Sequence, residues 1–379
     1  MKIFIISRGL PSKQNPMLGI FEYDQAMALK QYGHEVVLIA LDLRSIRHKR
    51  KYGIKVFNYN GLDVVEMSVP LGAINKKLFY LLGELALSYA LNRAFLLYGQ
   101  CDLIHAHFID NAFITAKLLN RKKSDIPFVV TEHSSRLNRP LKEIKKIEKI
   151  AAIYAYSVCD TLIAVSESFS LQLKENFHVD STVIHNIVDA ECFISDAKQS
   201  EYRKFDFVSV GNLTSNKRMD LLISCFAKCF IDRPDITLNI IGDGPEYQNL
   251  KKIIDINKLD NVKLMGKKHR KDIADIFKRS KIFVLLSEFE TFGVSFIEAM
   301  GAGLPVISTM SGGPETFINN KNGILVNDSE DEIVNALNFM LNNISKYDRE
   351  EISLFANNNF SPEIIAEKLT LLYREVVKQ

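Results

Sequence analysis

The sequence has no long uninterrupted apolar run. None of the apolar stretches among its 379 residues approaches the roughly 20 residues that a membrane-spanning helix needs. The first stretch, MKIFIISRGL, is too short and too quickly followed by polar residues to be a signal peptide, and it is typical of a first strand. With 47% hydrophobic and 25% charged residues, the composition predicts a large soluble protein, long enough for two domains.

Cysteine is also scarce and carries no recognisable pattern. The five cysteines are Cys101, Cys159, Cys192, Cys225 and Cys229. They form neither a CxxC pair nor a zinc-binding spacing, so neither a disulfide nor a structural metal is predicted. Such a chain suits a reducing compartment. We therefore expect a cytoplasmic protein, with a peripheral position on the inner face of the membrane as one alternative.

The net charge of +3 is small, but the charges are unevenly distributed. Up to Asp180 the chain has 24 Lys and Arg against 17 Asp and Glu, whereas the remainder has 24 against 28. The basic excess forms clusters at residues 44–51, 121–123 and 139–149, beside the apolar stretch 78–97. Such clusters suit an anionic membrane leaflet or a phosphate-bearing partner, but they are also common on solvated helix faces. The sequence leaves these alternatives open.

Strand-like and helical patterns alternate through the first half of the chain. The strand-like segments are Lys2–Ser7, Glu35–Ala40, Asp63–Met67, Asp102–His107, Pro127–His133, Thr161–Ser166 and Ser181–His185. The helical patterns are Glu22–Tyr32, Leu78–Leu97, Ala112–Leu119, Leu141–Val158 and Ser168–Asn176. This alternation predicts an α/β fold with a doubly wound parallel sheet. The loop after the first strand, LPSKQNPMLGIFE, has no GxGxxG fingerprint, so a nicotinamide dinucleotide site is not supported.

A second series of the same kind follows a polar segment, DAKQSEYRK. Its strand-like segments are Phe205–Leu213, Ile236–Pro245, Asn261–Lys267, Lys281–Leu286 and Leu304–Thr309. Its helical patterns are Leu221–Phe230, Glu246–Ile256, Lys271–Ser280 and Val294–Ala302, and an amphipathic helix, Phe360–Val377, ends the chain. We place the domain boundary between residues 186 and 202. The prediction is a first domain at 1–190, a second at 200–360 and a final helix at 361–379.

The stretch Ser287–Ile307, SEFETFGVSFIEAMGAGLPVI, carries the most informative pattern. Glu290 lies just past a buried strand, where open α/β sheets place their ligand crevice. Gly293 and Val294 begin a predicted helix, whose first amides form a ready anion site. Glu298 lies one turn further on the same face, roughly 5 to 6 Å away, where it can accept both hydroxyls of a cis-diol. Phosphates followed by ribose would match this layout.

Glu290 and Glu298, separated by seven residues and followed by AMGAGLPVI, resemble the E-x7-E motif of retaining glycosyltransferases with the GT-B fold. The resemblance is to family 4 in particular, the glycosyl transferases group 1, and it extends over most of the chain. It implies two Rossmann-like domains facing a central cleft, with a C-terminal helix that crosses back to the first domain. The fold class expected is therefore α/β, of the GT-B type.

The resemblance also implies an activity. A retaining glycosyltransferase moves a sugar from a nucleotide sugar, here expected to be a UDP-sugar, to a hydroxyl of a saccharide or lipid-linked acceptor. Surface polysaccharide or glycolipid biosynthesis is the expected setting, and a nucleic acid partner is not expected. No cofactor or divalent metal is expected either, because no DxD-like pair lies at a strand end and cationic groups already face the diphosphate.

Three residues have catalytic roles by this resemblance. His133, at a strand end, lies near the donor sugar, Lys217 faces the diphosphate, and Glu290 holds sugar hydroxyls. A strand-end histidine bonded to backbone is the alternative for His133. His105 and His107 share one face of a strand, which could suggest a metal pair, but no third ligand is evident.

The donor-binding residues implied by the resemblance come from both halves of the chain. They are Gly19, Asn212, Lys217, Arg218, Gly242, Lys267, Glu290, Phe292, Gly293, Val294 and Glu298. Gly242 and Lys267 match positions that hold the nucleotide base. Asn212 stands where the family usually has arginine, and Arg218 where it usually has glycine. Two interpretations of Arg218 stay open: it is an ordinary solvated arginine at a helix start, or its guanidinium folds back over the loop beside Lys217 and supplies the cation missing at position 212.

Two functions from other classes remain open. A non-hydrolysing UDP-sugar 2-epimerase would share the fold but would need additional carboxylates for proton abstraction. A catalytically silent partner of another transferase would explain the loss of charge at position 212.

Overall fold

The computed structural model describes residues 1–12, 15–188 and 204–378. The chain divides into two compact units. Unit 1 comprises Met1–Ile187 and Pro362–Gln379, and unit 2 comprises Val188–Ser361. Most of the boundary segment expected from the sequence, residues 186–202, lies outside the described residues. None of the helices in the described ranges is both long and apolar enough to cross a lipid bilayer.

Within the described residues, unit 1 is built on an eight-stranded sheet. Its strands are β1 (Lys2–Ser7), β2 (Glu35–Asp42), β3 (Gly53–Tyr59), β4 (Leu62–Ser68), β5 (Leu103–His107), β6 (Phe128–Glu132), β7 (Thr161–Ala164) and β8 (Thr182–Val183). They lie in the order β3-β4-β2-β1-β5-β6-β7-β8. β1 and β5 are buried along nearly their whole length, because helices cover both faces of a parallel sheet.

Helices alternate with these strands as the sequence predicts. They are α1 (Ile20–Gln31), α2 (Lys76–Tyr98), α3 (Ile109–Lys122), α4 (Lys146–Val158) and α5 (Glu167–Phe177). α2 packs against α3, and α3 packs against α4. The helix predicted from Leu141 begins later, since Leu141–Glu143 forms a separate 3₁₀ turn.

The antiparallel strand β3 is absent from the sequence-based prediction. It pairs with β4 across a tight turn at Asn60 and Gly61, whose φ angles are 50° and 87°. Two positive φ angles in succession define the hairpin turn that Asn-Gly favours. The turn was therefore visible in the sequence, but β3 is an edge strand with exposed and half-buried residues and lacks a continuous apolar run.

Unit 2 contains a six-stranded parallel sheet among the residues described. Its strands are β9 (Phe205–Val210), β10 (Leu238–Ile241), β11 (Val262–Leu264), β12 (Ser280–Leu285), β13 (Val306–Thr309) and β14 (Gly323–Val326), in the order β11-β10-β9-β12-β13-β14. The helices are α6 (Met219–Phe230), α7 (Tyr247–Ile256), α8 (Arg270–Lys278), α9 (Val294–Gly301), α10 (Glu330–Asn342) and α11 (Arg349–Phe360). The sequence analysis did not predict β14, α10 or α11.

The last helix, α12 (Pro362–Lys378), belongs to unit 1 although it follows unit 2 in the sequence. It packs against α1. Ile365, Leu369 and Tyr373 lie in the same buried cluster as Ile3 and Ile5 of β1. The predicted return of the C-terminal helix to the first domain is thus confirmed, and apolar burial holds it there.

Candidate active site

The two central strands of the unit 2 sheet end in loops that carry predicted site residues. β9 and β12 are neighbours, and the strand order reverses direction between them. Open α/β sheets bind ligands at the carboxyl ends of the strands beside such a reversal. Lys217 lies after β9 and Glu290 lies after β12. The topology therefore brings these two residues to one end of the sheet.

The Lys217 ammonium forms an ion pair with the Glu290 carboxylate. Glu290 Oε1 also accepts a hydrogen bond of 2.7 Å from Ser287 Oγ. Only 19% of the Lys217 side chain and 11% of the Glu290 side chain are exposed. Because both side chains are largely shielded from water, solvent screens their charges little. The ammonium can therefore interact strongly with an anionic ligand, and the carboxylate with hydrogen-bond donors. An arriving phosphate can take over the ammonium, which leaves the carboxylate to accept other donors.

Asn216, which the sequence analysis did not single out, ties the two loops together. Its Nδ2 donates to the Phe289 carbonyl at 3.1 Å, and its Oδ1 accepts from the Phe289 amide at 3.2 Å. Its backbone carbonyl accepts from the Glu288 amide at 2.8 Å. These bonds fix the position of Lys217 relative to Glu290. The sequence offers no signal for a contact between residues 73 positions apart.

Helix α9 begins at Val294, where the sequence places its start. Gly293 precedes it in the left-handed region, with φ of 94°, which glycine adopts without strain. Phe292 is fully buried, and a Cβ on Gly313 would lie 2.5 Å from the Phe292 Cα. The core thus anchors the start of α9. The positive end of the helix dipole lies at Gly293 and Val294.

Glu298 lies on α9 and forms an ion pair with Arg270 at the start of α8, with 3.2 Å between Oε1 and Nε. Arg270 was not among the predicted residues. The basic run at residues 267–271 was visible in the sequence, but nothing indicated which of its members faces α9. For Glu298 to bind ribose hydroxyls, it must release or share this guanidinium.

Arg218 does not adopt the folded-back arrangement that was one of its two alternatives. Its guanidinium pairs with Asp328, in the segment between β14 and α10, rather than folding back beside Lys217. The Asp328 side chain is 67% exposed, so this ion pair is a weak one. Arg218 also has a left-handed backbone, with φ of 48°. This conformation gives a physical reason for a glycine to be usual at this position.

The remaining predicted residues of unit 2 lie at neighbouring strand ends. Gly242 follows β10, and a Cβ there would lie 1.9 Å from the Gly211 carbonyl oxygen, so only glycine fits. The Gly242 amide donates to the Gly266 carbonyl at 3.1 Å, which joins the ends of β10 and β11. Asn212 and Lys267 are exposed.

In unit 1, Gly19 is the residue before α1 and has φ of 66°. A Cβ on Gly19 would lie 2.3 Å from the carbonyl oxygen of Gly9, a second glycine with positive φ. The loop after β1 therefore depends on two glycines that touch. Nothing in the sequence indicated Gly9, because the close approach of these two glycines exists only in the folded loop.

His133 is buried at the end of β6, next to two other buried histidines of β5. Its Nε2 lies 2.9 Å from His107 Nδ1, and the ring of Phe108 stacks on it at 4.7 Å. His105 contacts the hydroxyls of Tyr373 and Thr131, each at 2.7 Å. In the described part of the chain, no three His, Cys, Asp or Glu side chains converge on a possible metal position.

Burial lowers the pKa of His105, His107 and His133 well below the usual value of 6.5. The Arg8 guanidinium lowers the pKa of His107 and His133 further. All three rings are therefore neutral at neutral pH. A neutral His133 can donate or accept a hydrogen bond without adding charge.

The neighbouring Glu132 is buried as well, and burial raises its pKa from 4.5 to about 7. Its Oε1 accepts hydrogen bonds from the His133 and Ser134 amides at 3.0 and 2.8 Å. Its Oε2 accepts one from the Tyr156 hydroxyl at 3.1 Å. Glu132 thus fixes the backbone that carries His133.

Two family models match the chain. Glycosyltransferase Family 4 matches residues 20–191, and Glycosyl transferases group 1 matches residues 193–352. An uncharacterized glycosyltransferase of Methanocaldococcus jannaschii is 30% identical over 244 residues, which are 62% of this chain and 66% of that protein. The phosphatidylinositol N-acetylglucosaminyltransferase GPI3 subunit of Saccharomyces cerevisiae is 26% identical over 345 residues, which are 86% of this chain and 73% of the subunit.

Solved structures share the fold at lower identity. Sucrose-phosphate synthase from Thermosynechococcus elongatus has a TM-score of 0.82 at 19% identity and covers 99% of both chains. Anabaena HepE in complex with UDP-glucose has a TM-score of 0.75 at 18% identity, covering 99% of this chain and 100% of its own. These likenesses confirm the predicted GT-B fold. The two family models, which between them match residues 20–191 and 193–352, show that the chain belongs to glycosyltransferase family 4.

Proposed function

We propose that this glycosyltransferase moves a sugar from a UDP-sugar to a hydroxyl of a saccharide or lipid-linked acceptor, with retention of configuration. The pairing of Lys217 with Glu290, in the unit that also carries the start of α9, supports this proposal most directly. A sugar nucleotide needs a cation for its diphosphate, an acceptor for its sugar hydroxyls and a diol acceptor for its ribose. Lys217, Glu290 and Glu298 are groups of these three kinds.

The relatives support the choice of donor. Those from yeast and human are named as N-acetylglucosaminyltransferases, the human one 26% identical over 314 residues. The solved HepE complexes contain UDP or UDP-glucose. Retention of configuration rests on the E-x7-E resemblance of Glu290 and Glu298.

The proposed reaction takes place on one face of the donor sugar. The bond between the anomeric carbon and the phosphate oxygen breaks, and the electron pair leaves with the diphosphate. The acceptor hydroxyl forms the new bond from the same side and gives its proton to the departing phosphate oxygen. Lys217 and the first amides of α9 stabilise the negative charge that develops on that oxygen.

The other groups bind and orient the donor. Glu290, released from Lys217 by the diphosphate, accepts hydrogen bonds from sugar hydroxyls, and Glu298 accepts those of the ribose. The family resemblance gives His133 a donor contact as well, and burial keeps its ring neutral, so a hydrogen bond from it adds no charge. These residues supply the required charges themselves, so we propose that no divalent metal takes part.

A UDP-sugar hydrolysis assay without acceptor tests this proposal. A transferase should release free sugar and UDP, and EDTA should leave the rate unchanged. A new sugar nucleotide would identify an epimerase instead, and no turnover despite binding would identify a silent partner. A thermal-shift panel of nucleotide sugars selects the donor beforehand, because a ligand at 100 times its dissociation constant stabilises by about 2.7 kcal/mol.

A further inference from the structure

Helix α2 carries an apolar stripe on its exposed side. The stripe consists of Leu78, Leu81, Leu85, Tyr89 and Leu96, all exposed. These residues recur at helical spacing on one face, over about 27 Å of helix length. The opposite side of α2 is buried through Ala86, Leu87, Ala90 and Leu91. An amphipathic surface helix normally exposes a polar face, so an apolar exposed face needs an explanation.

The two helices beside α2 extend this surface. α3 packs on α2, and α4 packs on α3. Lys122 of α3 donates to Asn92 of α2 at 2.9 Å, and Asn120 of α3 donates to Tyr154 of α4 at 2.8 Å. On α4, Ile150 and Ile153 are exposed. We call the outer side of these three helices the α2–α4 face.

The exposed charge on the α2–α4 face is positive. The exposed charged residues of the three helices are Lys77, Arg93, Lys117, Arg121, Lys122 and Lys146. Each carboxylate in these helices is at least partly buried and ion-paired. The pairs are Glu84 with Arg121, Asp110 with Lys76 and Arg136, and Glu148 with Arg136.

We propose that the α2–α4 face docks the protein on the surface of an anionic lipid bilayer. Leucine, isoleucine and tyrosine side chains would enter the headgroup region, while the surrounding lysines and arginines contact acidic headgroups. A second copy of the chain is a poorer occupant, because two identical cationic faces would repel each other. Docking would also bring a lipid-linked acceptor close, a consequence that rests on the proposed function, whereas docking itself does not.

Vesicle flotation with the full chain tests docking. One set of vesicles contains phosphatidylcholine and phosphatidylglycerol in equal parts, and the other contains phosphatidylcholine alone. The wild type should float with the anionic vesicles and much less with the neutral ones. The double variant L81S/L85S should lose roughly tenfold or more in partition coefficient, because two leucines no longer enter the lipid. The variant K117Q/K146Q should lose about fivefold per lysine on anionic vesicles.

The matched control is L171S/I256S, which changes two residues that are 63% and 77% exposed on α5 and α7. This variant should float like the wild type, and all variants should hydrolyse UDP-sugar in solution at the wild-type rate. The proposal would be overturned if L171S/I256S lost as much flotation as the variants of the α2–α4 face. It would also be overturned if the wild type did not float with anionic vesicles. Light scattering that shows a dimer disrupted by L81S/L85S, without flotation, would assign the face to a second copy.

Discussion

Glu298 lies on α9 as predicted, but its ion-pair partner Arg270 could not be inferred from the sequence. Its carboxylate lies 3.2 Å from the Arg270 guanidinium, so a ribose bound as we propose would compete with an existing ion pair. Replacing Glu298 by alanine should weaken the binding of UDP and UDP-sugar alike, by about 1.5 to 3 kcal/mol, because charge-assisted hydrogen bonds are lost. Calorimetry on the folded variant measures this.

The matched variant is Arg270→Ala, which breaks the same ion pair but leaves the carboxylate. UDP affinity should then stay level or rise. If both variants lost UDP affinity equally, the intact ion pair would be what UDP binding requires, and a direct ribose contact at Glu298 would be rejected.

Asn216 makes a different kind of contribution, since it is expected to act through the position of Lys217. Asn216→Ala would leave the Phe289 amide and carbonyl without this partner, at a cost of about 1 to 3 kcal/mol in unfolding free energy. Turnover should fall roughly tenfold or more, as misplaced groups stabilise the leaving diphosphate less well. Asn216→Asp retains the acceptor for the Phe289 amide and should recover part of the loss. Unchanged turnover in Asn216→Ala would reject this positioning role.

Variants of Arg218 test whether its guanidinium supplies the positive charge that Asn212 lacks. If its guanidinium leaves Asp328 for the diphosphate, Arg218→Ala should lower turnover by about 10²-fold, whereas Asp328→Ala should leave turnover level or higher. Adding Asn212→Arg to Arg218→Ala should restore part of the loss, because the two positions would serve one charge. If Arg218→Ala turned over at the wild-type rate, the proposed role of Arg218 would be rejected. The diphosphate would then be contacted by Lys217 and the α9 amides.

At the scale of elements, the buried parallel strands were the easiest part of the fold to predict. β1 was placed at Lys2–Ser7 as observed, because both of its faces are buried and its apolar run is continuous. β14 and α10 were missed because β14 is only four residues long and α10 opens with three acidic residues. Short strands, and helices whose first turn is polar, depend on tertiary packing for stability. A single sequence shows little of that packing.

The same limit applies to the candidate site. Lys217 and Glu290 were each inferred from their place after a strand, and strand order explains why they meet. Asn216, Arg270 and Gly9 act through contacts with residues that are not adjacent in sequence. Residue type and spacing carry no information about such contacts, so these three became visible only in the folded chain.

The histidines at the ends of β5 and β6 predict acid sensitivity. Their pKa values are well below 6.5 in the folded state, so their stability contribution is present above that pH and lost as pH falls through it. Glu132 opposes them, since its raised pKa of about 7 favours the folded state as pH falls from 7 to 4.5. Three histidines outweigh one glutamate, so unfolding free energy should fall as pH drops below 6.5, and the decline should steepen toward a limiting slope of about 2.7 kcal/mol per pH unit for a net two protons.

Urea unfolding at a series of pH values between 7.5 and 5 measures this slope. Glu132→Gln removes the opposing group and should make the decline steeper. A flat profile would contradict the assignment of three neutral buried histidines.

For the whole molecule, the return of α12 predicts unequal effects of truncation. A chain that ends at Ser361 keeps every residue of unit 2 but removes Ile365, Leu369 and Tyr373 from the core of unit 1. Hydrogen exchange should show loss of protection in residues 1–187 and retained protection in unit 2. Tyr373→Phe, which removes only the hydroxyl that contacts His105, should cost far less. Equal loss in both units would show that they do not unfold separately.

The same arrangement has a consequence for synthesis on the ribosome. Unit 2 is contiguous in sequence, so its core is complete once Ser361 has emerged, whereas the core of unit 1 waits for Tyr373. Multidomain chains generally fold their first domain first. Here the amino-terminal unit is synthesised first but completed last. Its β-strands therefore remain incompletely covered while the whole of unit 2 is translated, because α12 leaves the ribosome only afterwards.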